Sequence, residues 1–165
     1  MNWNKARILQ GHTDVPLNNL GRRQAEQALK ALKTQEIASI LASPLRRAAE
    51  TANIMSAGLG LSVHYDSNLK ERFFGLYEGR AWKYEFLLSD SVPDAEPIKD
   101  FYLRVADVVT RVLRLPGPVL IVSHGGIFNV ISTLLCNTSD AYSPNAHPFL
   151  FSSITGSNEC TSTPL

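Results

Sequence analysis

The spacing of apolar residues predicts that amphipathic helices and short buried strands alternate along the chain. From Leu20 to Leu32, apolar side chains recur every three or four residues, as they do on one face of a helix. These positions are Leu20, Ala25, Ala28, Leu29 and Leu32. The pattern predicts a first helix with Asn18 or Asn19 as its N-cap, because an asparagine side chain accepts a hydrogen bond from the first turn.

A second helix is predicted directly after a short apolar strand at 38–42. We expect Ser43 to cap this helix and Pro44 to lie in its first turn, where the missing N–H of a proline costs nothing. Its inner face is formed by Ala48, Ala52 and Met55. Glycine commonly follows the last helical residue, so this helix is predicted to end at Gly58 or Gly60.

The remaining apolar segments continue the alternation. Strands are predicted at 62–65, 119–123 and 148–151, and helices at 99–115 and 127–136. The run at 119–123 is apolar up to its last residue, which is typical of a strand covered on both faces. Strands that alternate with helices predict an α/β domain with three layers, α/β/α, around a mainly parallel sheet.

The length and charge of the chain limit its organisation and its partners. With 165 residues it fits one domain, for which we take residues 1–152, and the Ser/Thr-rich segment 153–165 is expected to be a flexible tail. A net charge of +1 gives no general attraction to nucleic acid or to anionic membranes. The apolar runs are too short to cross a bilayer, so neither nucleic acid nor membrane is an expected partner.

The two cysteines carry little information. Cys136 and Cys160 lack the CxxC spacing of zinc and redox motifs, so we expect neither a disulfide nor a zinc site. We also expect no other metal and no cofactor. The polar segment 1–7 does not have the apolar stretch of a signal peptide, which favours the reducing cytoplasm.

A candidate phosphate-binding residue lies at the start of the second predicted helix, in the sequence SPLRRAAETA at 43–52. The Arg47 guanidinium offers paired N–H donors that suit phosphate oxygens. A position in the first turn directs it toward the same crevice as the free N–H groups of the helix. A lone arginine is more often an exposed residue of an amphipathic helix, and Arg46 is interpreted in that way.

A second candidate follows the apolar strand at 119–123, in the sequence SHGG at 123–126. His124 then lies at the carboxyl end of a buried strand and before a helix, where open α/β sheets bind their ligands. The two glycines would let the backbone approach a bound anion. The alternative is a structural histidine that is hydrogen-bonded at the strand end.

The third motif, LKERFFGLYEG at 69–79, contains two carboxylates. Taken alone, Glu71 and Glu78 are as well explained as exposed surface residues. His12, in QGHTDVPL at 10–17, lies in a predicted loop, and we expect no catalytic role for it.

These four segments, in their order along the chain (10–17, 43–52, 69–79 and 123–126), resemble the histidine phosphatase (phosphoglycerate mutase-like) superfamily. The resemblance implies that Arg47 clamps the phosphate, that His124 stabilises the transferring phosphoryl group and that Glu71 is the proton donor. Glu78 is expected to hold the loop. Asn4 and Gln10 occupy positions that lie near the bound phosphate in the family, although either could simply hydrogen-bond the loop.

The family's Arg-His-Gly motif, which carries the histidine that becomes phosphorylated, does not occur in this sequence. Aligned on Trp3, the motif and the central strand before it would precede residue 1, so we expect an N-terminally truncated domain that lacks the family's first central strand. The resemblance then implies phosphomonoester hydrolysis of a small phosphorylated substrate, with this chain inactive as written. The alternatives are a non-catalytic phosphate-ligand binder and a truncated gene remnant.

A phosphatase is favoured over a mutase, since segment 80–98 is short for a mutase-type insertion. The sequence identifies neither the substrate nor the oligomeric state.

Overall fold

The computed structural model describes residues 3, 6–81, 83, 89–138, 144–153 and 160–165. The helices are α1 (Asn19–Leu32), α2 (Arg46–Leu59), α3 (Ile98–Val112) and α4 (Gly125–Cys136). The strands are β1 (Ser39–Ala42), β2 (Val63–Tyr65), β3 (Val119–Val122), β4 (Phe149–Ser153) and β5 (Cys160–Pro164). Short 3₁₀ helices lie at Ser67–Leu69 and Gly75–Tyr77. No described helix has both the length and the apolar character needed to cross a membrane.

The central sheet is parallel and has the strand order β2-β1-β3 among the described residues. Ile40 in β1 lies opposite Val63 in β2 and Leu120 in β3, which fixes the register of all three strands. β4 and β5 form a separate antiparallel pair, with Phe151 opposite Ser162. The structure confirms the predicted α/β class and its parallel sheet.

Alternate residues of the strands face opposite layers of helices. Ile40 and Leu120 belong to the cluster that packs against α1 and α2, whereas Leu41 and Ile121 pack against the cluster of α3 and α4. Side chains in a strand alternate between its two faces, so neighbouring residues of β1 serve different cores. The three predicted layers are therefore present, and the carboxyl ends of the parallel strands meet at one edge.

The observed helix ends agree in part with the ends predicted from the sequence. Asn18 is the N-cap of α1, and its side chain accepts a hydrogen bond from the Gly21 N–H. Gly60 ends α2 in the left-handed conformation, which glycine adopts without a steric penalty. The prediction that Ser43 caps α2 is wrong, because the helix begins at Arg46 with Leu45 as its N-cap. The Ser43 side chain instead belongs to the candidate site.

The end of the chain differs from its prediction in two respects. A strand, β5, lies within the segment 153–165 that was expected to be a flexible tail. Cys136 at the end of α4 forms a disulfide with Cys160 in β5, with the two Cα atoms 4.7 Å apart. The expectation of two free thiols is therefore wrong. Spacing could not reveal this bond, because it depends on how the strand returns to the helix.

Candidate active site

Arg47, Glu71 and His124 lie near one another at the carboxyl ends of the parallel strands, close enough for Glu71 to act electrostatically on Arg47 and for Arg47 to act on His124. All three line a cavity of about 930 Å³ that also runs along the whole of β3 and reaches Leu115 and Pro118 before it. Gln10 also lines this cavity. Asn4, the remaining predicted site residue, lies outside the described residues. Three distant motifs are thus brought together by the ends of β1 and β3 and by the loop after β2.

Arg47 lies in the first turn of α2 and reaches across to the loop at 10–14. One terminal nitrogen donates to the Gly11 carbonyl at 2.7 Å, and the other donates to the Thr13 carbonyl at 3.1 Å. Burial lowers the pKa of Arg47, although Glu71, Asp14 and Glu78 act in the opposite direction. An arginine remains charged in proteins, so a partly buried cation faces the cavity.

His124 is the N-cap residue of α4, directly after β3. Its Nε2 and the hydroxyl oxygen of the buried Ser43 lie 2.7 Å apart and share a hydrogen bond. The pKa of His124 lies well below its usual value, first because of burial and then because of the electrostatic influence of Arg47, His12 and Arg104. The imidazole is consequently neutral near pH 7.

Glu71 places its carboxylate at the N-terminus of α4. Oε2 accepts a hydrogen bond from the Gly126 N–H at 3.0 Å, and Oε1 accepts one from the Arg72 N–H at 2.9 Å. A Cβ atom on residue 126 would collide with the Glu71 carboxylate. Gly126 thus permits the close approach of an anionic group, as the sequence suggested, and in this structure that group is Glu71.

Glu78 holds the loop at 10–14, as expected. Its carboxylate accepts hydrogen bonds from the backbone N–H groups of His12 and Thr13, at 2.7 and 2.8 Å, and from the Thr13 hydroxyl at 2.6 Å. The His12 ring contacts protein groups: its Nε2–H donates to the Glu71 carbonyl at 2.8 Å, and the ring packs on Phe73. These contacts describe a structural histidine.

Two residues of the site were missed by sequence reasoning. Ser43 was interpreted as a helix cap, and Arg104 on α3 was not singled out at all. Arg104 donates to the Glu71 carbonyl at 3.0 Å. The sequence offered one signal for Arg104. It lies next to Val105 on a helix with a buried face, and a charged side chain near such a face needs partners.

The arrangement suits an anion that carries several oxygen atoms. The first turn of α4 presents backbone N–H groups, of which that of Gly126 donates to Glu71; Arg47 supplies positive charge, and neutral His124 can donate or accept a hydrogen bond. Within the described ranges, no group of three or more His, Cys, Asp and Glu side chains is arranged to hold a metal ion.

Comparison with known proteins identifies the family. Residues 1–150 match the model of the histidine phosphatase superfamily, branch 1. A probable phosphoglycerate mutase, GpmB of Enterobacter sp. (strain 638), is 31% identical over 149 aligned residues that cover 81% of this chain and 69% of that protein. This chain therefore belongs to the histidine phosphatase superfamily, as its motifs implied.

Other relatives extend the comparison. An agropine synthesis reductase of Rhizobium rhizogenes is 41% identical over 123 residues, which are 74% of this chain but only 28% of that protein. The chain thus spans little more than a quarter of that relative. The α-ribazole phosphatase of Shigella flexneri has the same fold, with a TM-score of 0.84 at 22% identity over 99% of this chain and 90% of that one. Bacillus stearothermophilus YhfR gives a TM-score of 0.81 at 25% identity, with the same coverage.

Proposed function

We propose that this site binds the phosphoryl group of a small phosphorylated substrate and derives from a phosphomonoesterase. Arg47 and backbone N–H groups of α4 bind the phosphoryl oxygens. In an active form of the domain, His124 would stabilise the group during transfer and Glu71 would protonate the oxygen of the leaving group. The observation that carries the proposal is the grouping of Arg47, Glu71 and His124 at the N-terminus of α4, where the Glu71 carboxylate accepts from the Gly126 N–H and Arg47 lies close enough to act on His124.

The comparisons support a phosphorylated substrate without identifying it. Structural neighbours include an α-ribazole phosphatase and a mycobacterial glucosyl-3-phosphoglycerate phosphatase, and a sequence relative is named a probable phosphoglycerate mutase. We favour hydrolysis over the mutase reaction because segment 80–98 is short for a mutase-type insertion.

We further propose that the 165-residue chain binds its ligand without turnover. Phosphoryl transfer to the protein needs a nucleophile within reach of the phosphorus atom. Of the four histidines, His12 donates its Nε2–H to the Glu71 carbonyl, and His124 shares its Nε2 with Ser43. His64 and His147 lie in no motif of the family.

Hydrolysis of p-nitrophenyl phosphate tests this proposal. The purified 165-residue chain should release p-nitrophenol no faster than its His124→Ala variant. Turnover by the wild-type chain that His124→Ala abolishes would contradict the proposed inactivity, and would at the same time support the phosphatase assignment.

Binding without turnover makes the chain a phosphate-ligand binder that does no chemistry, and the hydrogen bonds of His12 and His124 to protein partners support this. Thermal unfolding with inorganic phosphate separates a binder from a gene remnant. A binder gains stability as phosphate rises above its Kd, whereas a remnant without a site shows no such gain. Sodium chloride at equal ionic strength is the control.

A further inference from the structure

An ion pair between Arg104 and Glu96 lies behind the candidate site. Arg104 Nε donates to Glu96 Oε1 at 2.6 Å, and a terminal nitrogen donates to Oε2 at 2.9 Å. The two side chains are only 16% and 17% exposed. This two-point geometry holds the plane of the guanidinium in one orientation, since a fork of N–H donors matches the two carboxylate oxygens.

The remaining donors of Arg104 are directed at the backbone that leads to Glu71. One terminal nitrogen donates to the carbonyls of Asn68 and Lys70, at 2.6 and 2.7 Å, and the other also donates to the Glu71 carbonyl at 3.0 Å. A guanidinium has five N–H groups, and these five hydrogen bonds use them all. Arg104 therefore has no donor left for a substrate, and it acts on the site through the protein.

Glu71 is the point at which this network reaches the cavity. Its carbonyl accepts from both Arg104 and His12, while its carboxylate accepts from the Gly126 N–H. The backbone of Glu71 is thus held from α3 and from the loop at 10–14. A shift of that backbone would displace the carboxylate from the first turn of α4, beside His124.

We propose that Arg104, oriented by Glu96, is a positioning residue for Glu71. It fixes the backbone at 68–71 so that the Glu71 carboxylate stays on the N-terminus of α4. The role rests on the proposed function insofar as Glu71 is the proton donor. The positioning itself is a property of the ligand-free protein and can be measured there.

The amide resonance of Gly126 is a direct probe, because Gly126 contacts the Glu71 carboxylate and not Arg104. In ¹H–¹⁵N spectra of the ligand-free chain, Glu71→Gln defines the shift that results when the carboxylate is lost. Arg104→Lys removes the fork of donors but keeps the charge, and Glu96→Gln weakens the orienting pair. Both variants should move the Gly126 resonance in the same direction as Glu71→Gln, by at least half as much.

Arg111→Gln is the matched control, since Arg111 also lies on α3 and pairs with two carboxylates, those of Asp66 and Asp107. It should leave the Gly126 resonance in place. The proposal is overturned if folded Glu96→Gln and Arg104→Lys leave that resonance unmoved, or if Arg111→Gln moves it equally. If Arg104→Lys does not fold, Glu96→Gln alone decides. Inorganic phosphate titrated into the same samples reports separately on the proposed function.

Discussion

His124 is buried and lies near the cations of Arg47 and Arg104, and both the burial and the nearby charges lower its pKa. A histidine whose pKa is lowered by folding binds fewer protons in the native state than in the unfolded state. Its contribution to stability is complete above the unfolded pKa of about 6.5. That contribution decreases as the pH falls below this value toward the folded pKa.

We therefore expect the chain to lose stability between pH 7 and pH 5, and His124→Asn to lose less over the same interval. Urea unfolding at both pH values measures the two free-energy differences. His64→Asn is the control, because His64 is an exposed residue on β2. The interpretation fails if His124→Asn and the wild-type chain lose equal stability on acidification.

Single residues were predictable from the sequence when a motif surrounded them. Arg47, Glu71 and His124 each lie in a segment whose spacing resembles the family, and the structure places all three on one cavity. Ser43 and Arg104 were not assigned to the site, because their partners lie far away in the sequence. The His124 ring meets Ser43 across 81 positions, and Arg104 meets the Glu71 carbonyl across 33.

The loop at 10–14 depends on Gly11 as an element of structure. Gly11 has φ of +51°, and a Cβ atom there would collide with the Glu78 carboxylate that holds the loop. Gly60, at the end of α2, also has positive φ, at +71°, but a Cβ atom there would meet no atom within 4 Å. Alanine substitutions at Gly11 and Gly60 therefore separate the cost of backbone strain from the cost of losing the Glu78 hydrogen bonds.

Gly60→Ala should destabilise the chain by roughly 1–2 kcal/mol, the cost of a left-handed residue with a side chain. Gly11→Ala should cost more than this, because it also displaces Glu78 from its four N–H and O–H donors. Urea unfolding at pH 7 gives both values. Equal losses in the two variants would contradict the role assigned to Glu78.

The elements themselves followed from periodicity, whereas their ends depended on contacts. α1 was predicted with its N-cap because Asn18 acts locally, through the Gly21 N–H. The start of α2 was misplaced because the Arg46 N–H bonds to Asp14, a residue that tertiary structure brings to the helix. β5 was missed because the polar segment at 160–164 has no apolar alternation, and its strand form comes from pairing with β4.

At the scale of the whole molecule, the disulfide between Cys136 and Cys160 joins α4 to the two-stranded sheet. It closes a loop with a sequence separation of 24 residues, for which the loss of chain entropy in the unfolded state predicts roughly 3 kcal/mol of stabilisation. We expect a reducing agent to lower the Tm of the wild-type chain.

Cys160→Ser, which cannot form the bond, should have a Tm that does not respond to the reducing agent. A thiol assay on the unfolded, unreduced wild-type chain tests the bond itself. Two reactive thiols per chain in that assay would show that the disulfide does not form in solution. The fold class does not depend on this outcome, since all three strands of the parallel sheet precede the segment that the bond closes.

The central claim is that the molecule brings Arg47 to a phosphate-binding site, and calorimetric titration with inorganic phosphate at pH 7 tests it most directly. The wild-type chain should bind, and Arg47→Ala should bind about 10- to 100-fold more weakly, the loss expected when hydrogen bonds from a charged donor are removed. Arg46→Ala, which alters the exposed neighbour in the same turn, should bind like the wild type. Equal phosphate affinity in the wild type and Arg47→Ala would contradict the account.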